Sequence, residues 1–168
     1  LALVKLGEQQ QRTPEYLALN PKGRVPALVT DQGVLTENPA ILGYVAETFP
    51  KAKLMPTAPF ARAQVQAFNA FLCATLHPTF AHKFRPNRYA DDPQAHAAMA
   101  AKVPSVLDEQ FGLVEELLSD GREWVHGDYS TSDGYLFNFA RWYQREGMGN
   151  PQTRPLVRAH IKRMQERP

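Results

Sequence analysis

The chain has 168 residues, of which 43% are hydrophobic and 21% charged, enough for one medium domain or two small ones. The formal net charge of +2, without long runs of Lys or Arg, excludes a strongly basic surface for nucleic acid or membrane binding. No apolar stretch reaches the roughly 18 residues of a membrane span, and one cysteine, Cys73, excludes an internal disulfide and indicates a reducing, cytoplasmic location.

The first sixteen residues predict a short strand and a loop. Residues 1–6 are apolar and β-prone, which predicts a short buried strand, whereas residues 7–16 are polar and predict a loop with one helical turn. The sequence starts inside the apolar run and lacks an initiator Met. We therefore expect the natural protein to have further residues before Leu1.

A hairpin and a helix are predicted next. The NPKG sequence at 20–23 is a turn signal, and two strand-like runs within residues 25–35, VPALVT and VL, are separated by the turn-forming DQG. Asn38 is a good helix N-cap and Pro39 suits the first helical position, because no N–H is needed there. That helix is expected to run to about Phe49.

The remainder of the chain is predicted to be helical. Residues 50–59 contain three prolines and predict a linker between two domains, residues 1–49 and 60–168. Pro78 and Pro104 should make their helices irregular. Apolar residues at helical spacing predict helices over residues 60–84, 93–119, 130–146 and 153–166. The helix over residues 130–146 is predicted to begin at a capping box, Ser130 with Asp133, and to end before Gly147.

Two motifs in the first domain carry the functional information. The Val25-Pro26 bond can be cis, which would turn the N–H and C=O of Val25 outward to pair with an extended peptide. Twelve residues later, Glu37 and Asn38 precede a helix N-terminus, where free N–H groups favour a carboxylate and the Glu37 side chain favours an ammonium group. Taken singly, these motifs also fit a strand start and a routine helix cap; together they indicate a peptide-binding site.

The motifs resemble those of the glutathione S-transferase family. NPKGRVPAL followed by LTENPAI is similar to its glutathione-binding segment, and FLCATLHPTFAHKFRP resembles the corresponding helix of bacterial beta-class members. GDYSTSDGYLF resembles the family's capping-box segment, and RMQERP resembles a late helix. The order of these motifs is more specific than any one of them.

The resemblance implies an α+β domain followed by an all-α domain: an incomplete thioredoxin-like domain and an all-helical C-terminal domain, usually in a homodimer. It implies glutathione as substrate and no metal, and the histidines show no metal-ligand spacing. Val25 would bind the cysteinyl part of glutathione through its main chain, with Pro26 cis. Glu37 and Asn38 would hold the γ-glutamyl end, and His77 would face the thiol.

The sequence departs from the family pattern at several positions. Asn38 replaces the usual Ser, and Ser132 stands where Ala is usual. The segment that carries the family's catalytic Cys, Ser or Tyr has no counterpart here, and we expect it before Leu1.

The function implied is transfer of glutathione to a hydrophobic electrophile, or glutathione-dependent thiol chemistry if the preceding segment carries Cys. The alternative is a non-catalytic binding or regulatory protein with this fold. Phe80 is a candidate for a hydrophobic co-substrate cleft, although packing in the core is the simpler interpretation. His77 is equally well explained as a polar helix residue, and Cys73 better as a small core residue.

Overall fold

A computed structural model of the chain describes residues 1–167. The chain divides into two compact units, Leu1–Phe49 and Pro50–Pro168. The predicted order, a small β-containing unit followed by an all-helical one, is confirmed. Pro168, which ends the RMQERP motif, lies outside the described residues.

The first unit is a short hairpin flanked by helices. Its regular elements are α1 (Pro14–Leu19), β1 (Ala27–Thr30), β2 (Gly33–Thr36) and α2 (Asn38–Thr48). The strands are antiparallel, with Ala27 opposite Thr36 and Thr30 opposite Gly33, so the predicted hairpin is confirmed. Gly33 has a φ of 136°, a conformation that L side chains rarely adopt, and this explains a glycine at the turn.

The strand predicted over residues 1–6 is wrong. These residues form no strand, Leu3 is 82% exposed, and a 3₁₀ turn begins at Leu6. A strand needs a neighbour for its main-chain hydrogen bonds, and within the described part of the chain β1 and β2 pair only with each other. β1 also starts at Ala27 rather than Val25, since Pro26 has no N–H for the ladder.

The second unit is built from five longer helices among its described residues. They are α3 (Pro59–Phe71), α4 (His77–Phe84), α5 (Pro93–Leu117), α6 (Thr131–Tyr143) and α7 (Pro155–Glu166). Helix α4 packs against α5, and α6 packs against α3 and α7. The core of this unit contains fully buried apolar and aromatic side chains, among them Leu72, Phe80, Leu107, Phe111, Leu136, Phe139 and Tyr143. Across residues 1–167, no helix has both the length and the apolarity needed to cross a membrane.

The irregularity predicted at Pro78 is present, whereas the one predicted at Pro104 stays a prediction. Just before Pro78, residues Leu72–Leu76 form a π-helical turn in which the His77 N–H donates to the Leu72 carbonyl. Proline offers no N–H for the regular helical ladder, and a wider turn accommodates the interruption. Pro104 lies inside α5, which continues on both sides of it.

The N-terminus of α6 is organised around one buried carboxylate. Asp133 is completely buried; its Oδ1 accepts from the Val125 N–H (2.9 Å) and lies 3.1 Å from His160 Nε2. Its Oδ2 accepts from the Ser130 N–H at 2.8 Å, while the Ser130 side chain caps the helix in return. The predicted capping box is thus confirmed, and Asp133 also ties a loop and α7 to α6.

A second set of buried polar groups lies beside the capping box. The Ser132 hydroxyl donates to Asn69 Oδ1 at 3.0 Å, and Asn69 Nδ2 donates to the Thr131 hydroxyl at 3.3 Å. His126 Nε2 lies 3.1 Å from the same Ser132 oxygen. Ser132, which departs from the family pattern, therefore has a structural role, because its hydrogen bonds join α6 to α3 in the core.

We expect Asp133→Ala to lower the free energy of unfolding by about 3 kcal/mol, because it leaves buried N–H donors without an acceptor. The matched control is Asp92→Ala at the start of α5, where an exposed Asp side chain, within residues 1–167, accepts only from the Gln94 N–H. That loss should be about 1 kcal/mol, the value of an ordinary cap. Urea unfolding of both variants measures the difference; equal losses would show that Asp133 is only a cap.

Candidate functional site

The hairpin brings the two predicted halves of the site to one end. Ala27 at the start of β1 lies opposite Thr36 at the end of β2. The residues just before β1 and just after β2 therefore leave the sheet at the same end. In this way Val25-Pro26 and Glu37-Asn38, which are well separated in the sequence, become neighbours.

Val25 presents open main-chain groups at this end. The Val25-Pro26 peptide bond is cis, as predicted. Val25 is 41% exposed, and within residues 1–167 neither its N–H nor its C=O forms a hydrogen bond. These groups have the donor and acceptor pair that an added extended peptide requires.

The loop before Val25 is held from inside the unit. The Arg24 carbonyl accepts hydrogen bonds from the Tyr16 hydroxyl at 2.7 Å and from Asn20 Nδ2 at 2.6 Å. Asn20 is only 1% exposed, and its Oδ1 accepts from the Lys22 N–H at 3.2 Å. Burial raises the pKa of the Tyr16 hydroxyl, which keeps it a donor. The carbonyl next to Val25 is thus satisfied, while the groups of Val25 itself stay open.

Glu37 has an unusual backbone conformation at the start of α2. It is the N-cap, with φ 72° and ψ 122°, a region that favours glycine. Its carbonyl accepts the first helical hydrogen bond, from the Ile41 N–H at 3.0 Å. The prediction that Asn38 is the N-cap is therefore wrong by one position, because the first helical bond closes at Glu37, and Asn38 and Pro39 are the first helical residues. Backbone outliers of this kind cost about 1–3 kcal/mol and cluster at binding sites.

The N-terminus of α2 carries partial positive charge, and the Glu37 side chain beside it carries negative charge. Within the described residues, the main-chain N–H groups of Asn38 and Ala40 have no hydrogen-bond acceptor. Pro39, which lies between them, has no N–H group. Free N–H groups at a helix N-terminus favour a carboxylate. The Glu37 side chain is 57% exposed, and its Oε1 lies 2.6 Å from Lys22 Nζ. A carboxylate and an ammonium group of one ligand can therefore be accommodated here.

The candidates in the second unit are more enclosed. His77 opens α4, is partly exposed, and its ring lies 5.3 Å from that of Phe139 and 5.9 Å from that of Trp142. Phe80 is completely buried, with its ring 5.5 Å from Trp142. Phe80 is therefore a core residue in this structure, and its role in a co-substrate cleft stays a prediction. Cys73, in the π-helical turn, is partly exposed.

Several contacts that hold the site together do not follow from the sequence motifs. Tyr16 and Asn20 fix the Arg24 carbonyl, and Lys22 contacts Glu37. The NPKG sequence predicts a turn and belongs to the segment that carries the family resemblance, but neither feature predicts the contacts that its Asn20 and Lys22 make. Among residues 1–167, no group of three or more His, Cys, Asp or Glu side chains is arranged to hold a metal ion.

Comparison with known proteins places these features in a family context. Residues 2–47 match the family model described as glutathione S-transferase, N-terminal domain. The chain is 37% identical over 139 residues to glutathione S-transferase GST-4.5 of Xanthomonas campestris pv. campestris. The aligned region covers 82% of this chain and 68% of that protein.

Solved structures agree with this match. A glutathione transferase homologue from Sulfitobacter, with bound glutathione, has a TM-score of 0.90 and 37% identity, covering 98% of this chain and 79% of the other. A maleyl pyruvate isomerase, a bacterial glutathione S-transferase of the zeta class, has a TM-score of 0.80 and 29% identity, with coverage of 98% and 79%.

The backbone at Glu37 gives a prediction independent of any ligand. Glycine adopts φ 72° without a steric penalty, so we expect Glu37→Gly to be at least as stable as Glu37→Ala. At Glu109, an exposed position inside α5, the order should reverse, with Gly less stable than Ala by about 1 kcal/mol. Thermal unfolding of the four variants measures both differences; a more stable Ala at position 37 would contradict the positive φ.

Proposed function

Because the chain belongs to the glutathione S-transferase family and has its fold, a small thioredoxin-like unit followed by an all-helical unit, we propose that it binds glutathione at the hairpin end and transfers it to hydrophobic electrophiles. The observation that carries this proposal is the grouping of open polar groups there. Val25 offers a main-chain donor and acceptor, α2 offers N–H donors, and Glu37 offers a carboxylate.

Glutathione matches these groups part by part. In this proposal its cysteinyl residue pairs with the Val25 main chain as an added strand does, beside the cis Pro26. Its γ-glutamyl end carries an ammonium group for Glu37 and a carboxylate for the N-terminus of α2, where Asn38 contributes its main-chain N–H. The bound glutathione in the Sulfitobacter homologue supports the choice of ligand.

The chemistry belongs largely to glutathione itself. Its thiolate attacks an electrophilic carbon; the sulfur–carbon bond forms and the leaving group departs with its electron pair. The protein contributes by holding the thiol and the electrophile together and by stabilising the thiolate. We assign His77 to the neighbourhood of the sulfur and retain Phe80 as a candidate for the apolar cleft. Beta-class membership, a homodimer and a cytoplasmic location complete the proposal, the first supported by the FLCATLHPTFAHKFRP motif.

Isomerisation is the second candidate, favoured by the similarity to the maleyl pyruvate isomerase. The two activities are distinguished by incubating the protein and glutathione either with chlorodinitrobenzene or with a maleyl compound. Chloride release with formation of the thioether supports transfer, and cis–trans conversion without consumption of glutathione supports isomerisation. Binding of glutathione without either reaction would support the non-catalytic alternative, and no binding would refute the proposed site.

The Glu37 assignment predicts a large effect on glutathione affinity. Replacing Glu37 with Gln removes the charge that receives the ammonium group, so the Kd for glutathione should rise by about tenfold or more. Titration calorimetry measures the change, with Glu109→Gln as a control of equal charge change on an exposed face of α5. An unchanged Kd for Glu37→Gln would exclude Glu37 from the site.

The His77 assignment predicts a loss of rate rather than of affinity. We expect His77→Asn to lower turnover at saturating glutathione by about tenfold or more, because the imidazole beside the thiolate is lost, while the Kd for glutathione stays within about twofold. The control is His82→Asn in the same helix, whose ring stacks on Tyr89 and contacts the Pro78 carbonyl. Equal turnover in both variants would assign His77 to packing alone.

A further inference from the structure

Lys22 lies where the two halves of the candidate site meet. Its Nζ is 2.6 Å from Glu37 Oε1 and 2.9 Å from the Thr36 hydroxyl. Lys22 belongs to the loop that precedes Val25, whereas Thr36 and Glu37 follow along β2. The Lys22 side chain therefore reaches from the loop before β1 to the start of α2.

The loop holds the main chain of Lys22 in place. The Lys22 N–H donates to Asn20 Oδ1 at 3.2 Å, and the Gly23 N–H donates to the Asn20 carbonyl at 2.9 Å. Gly23 has a φ of 59°, a left-handed conformation that favours glycine. The side chain of Lys22 thus extends toward Glu37 from a main chain that these hydrogen bonds hold in place.

The Glu37 carboxylate remains accessible while it is paired. Its side chain is 57% exposed, and that of Lys22 is 49% exposed. A second cation can therefore approach the same carboxylate from solvent.

Resting on the proposed glutathione site, we propose that Lys22 is a positioning residue that orients the Glu37 carboxylate for the ammonium group of the substrate and selects a zwitterionic amino-acid end. The ligand's ammonium group shares Glu37 with Lys22, and the ligand's carboxylate binds the N–H groups at the N-terminus of α2. Charges of opposite sign then alternate around the site. A ligand that lacks either charge breaks this alternation.

The test compares two ligands by titration calorimetry: glutathione, and the analogue in which the α-amino group is replaced by hydrogen. We expect Lys22→Met to raise the Kd for glutathione by about two- to fivefold, the range of an exposed ion pair, and to leave the Kd of the des-amino analogue unchanged. Lys22→Arg should restore most of the affinity, since it keeps the charge. Lys102→Met, an exposed lysine on α5, controls for net charge.

The two ligands separate positioning from a role in loop structure. Equal weakening of both ligands would show that Lys22 acts only on the loop and would overturn the proposal. Unchanged or tighter glutathione binding by Lys22→Met would identify Lys22 as a competitor and would overturn it as well. If Lys22→Met does not fold, Lys22→Gln provides the same comparison. Failure of the unaltered protein to bind glutathione would overturn the proposed function itself, a result distinct from the others.

Discussion

The antiparallel pairing of β1 with β2, in which Ala27 lies opposite Thr36, is the constraint on which the candidate site depends. A shift of one residue in this register would reverse the faces of one strand relative to the other and separate Val25 from Glu37. The two-residue turn fixes the register, because Thr30 pairs directly with Gly33. The loop before β1 and the N-terminus of α2 are then held close together, and Lys22 bridges them.

The two units differ in whether their polar groups have hydrogen-bond partners within the protein. In the helical unit the buried carboxylate of Asp133 is surrounded by donors, and Ser132 and Asn69 satisfy each other, which offsets the cost of burial. At the hairpin end, the Val25 main chain and the first N–H groups of α2 have no partner within the described residues, but they face solvent. Water satisfies such groups at little cost, and a ligand can replace that water. Solvent-exposed main-chain groups without a protein partner, brought together by the hairpin register, are therefore the feature that marks the candidate site.

Parts of the site could be predicted, and the reason differs for each residue. Val25, Pro26 and Glu37 lie in short motifs whose local geometry follows from proline and from a helix start. Tyr16 and Asn20 could not be predicted to fix the Arg24 carbonyl, because that contact requires the fold of α1 against the following loop. The one-residue error at Asn38 has a local cause: Glu37 adopts a positive φ that residue preferences do not anticipate.

The sequence by itself determined the hairpin, the helical second unit, the capping box of α6 and the irregularity at Pro78, since each follows from local spacing, turn residues and proline chemistry. Only the tertiary structure decided that residues 1–6 form no strand, because a strand exists through hydrogen bonds to a neighbour that local sequence does not specify. It also decided that Phe80 is buried among aromatic rings and that Lys22 pairs with Glu37. Burial and ion pairing depend on residues distant in the chain, and folding alone brings them together.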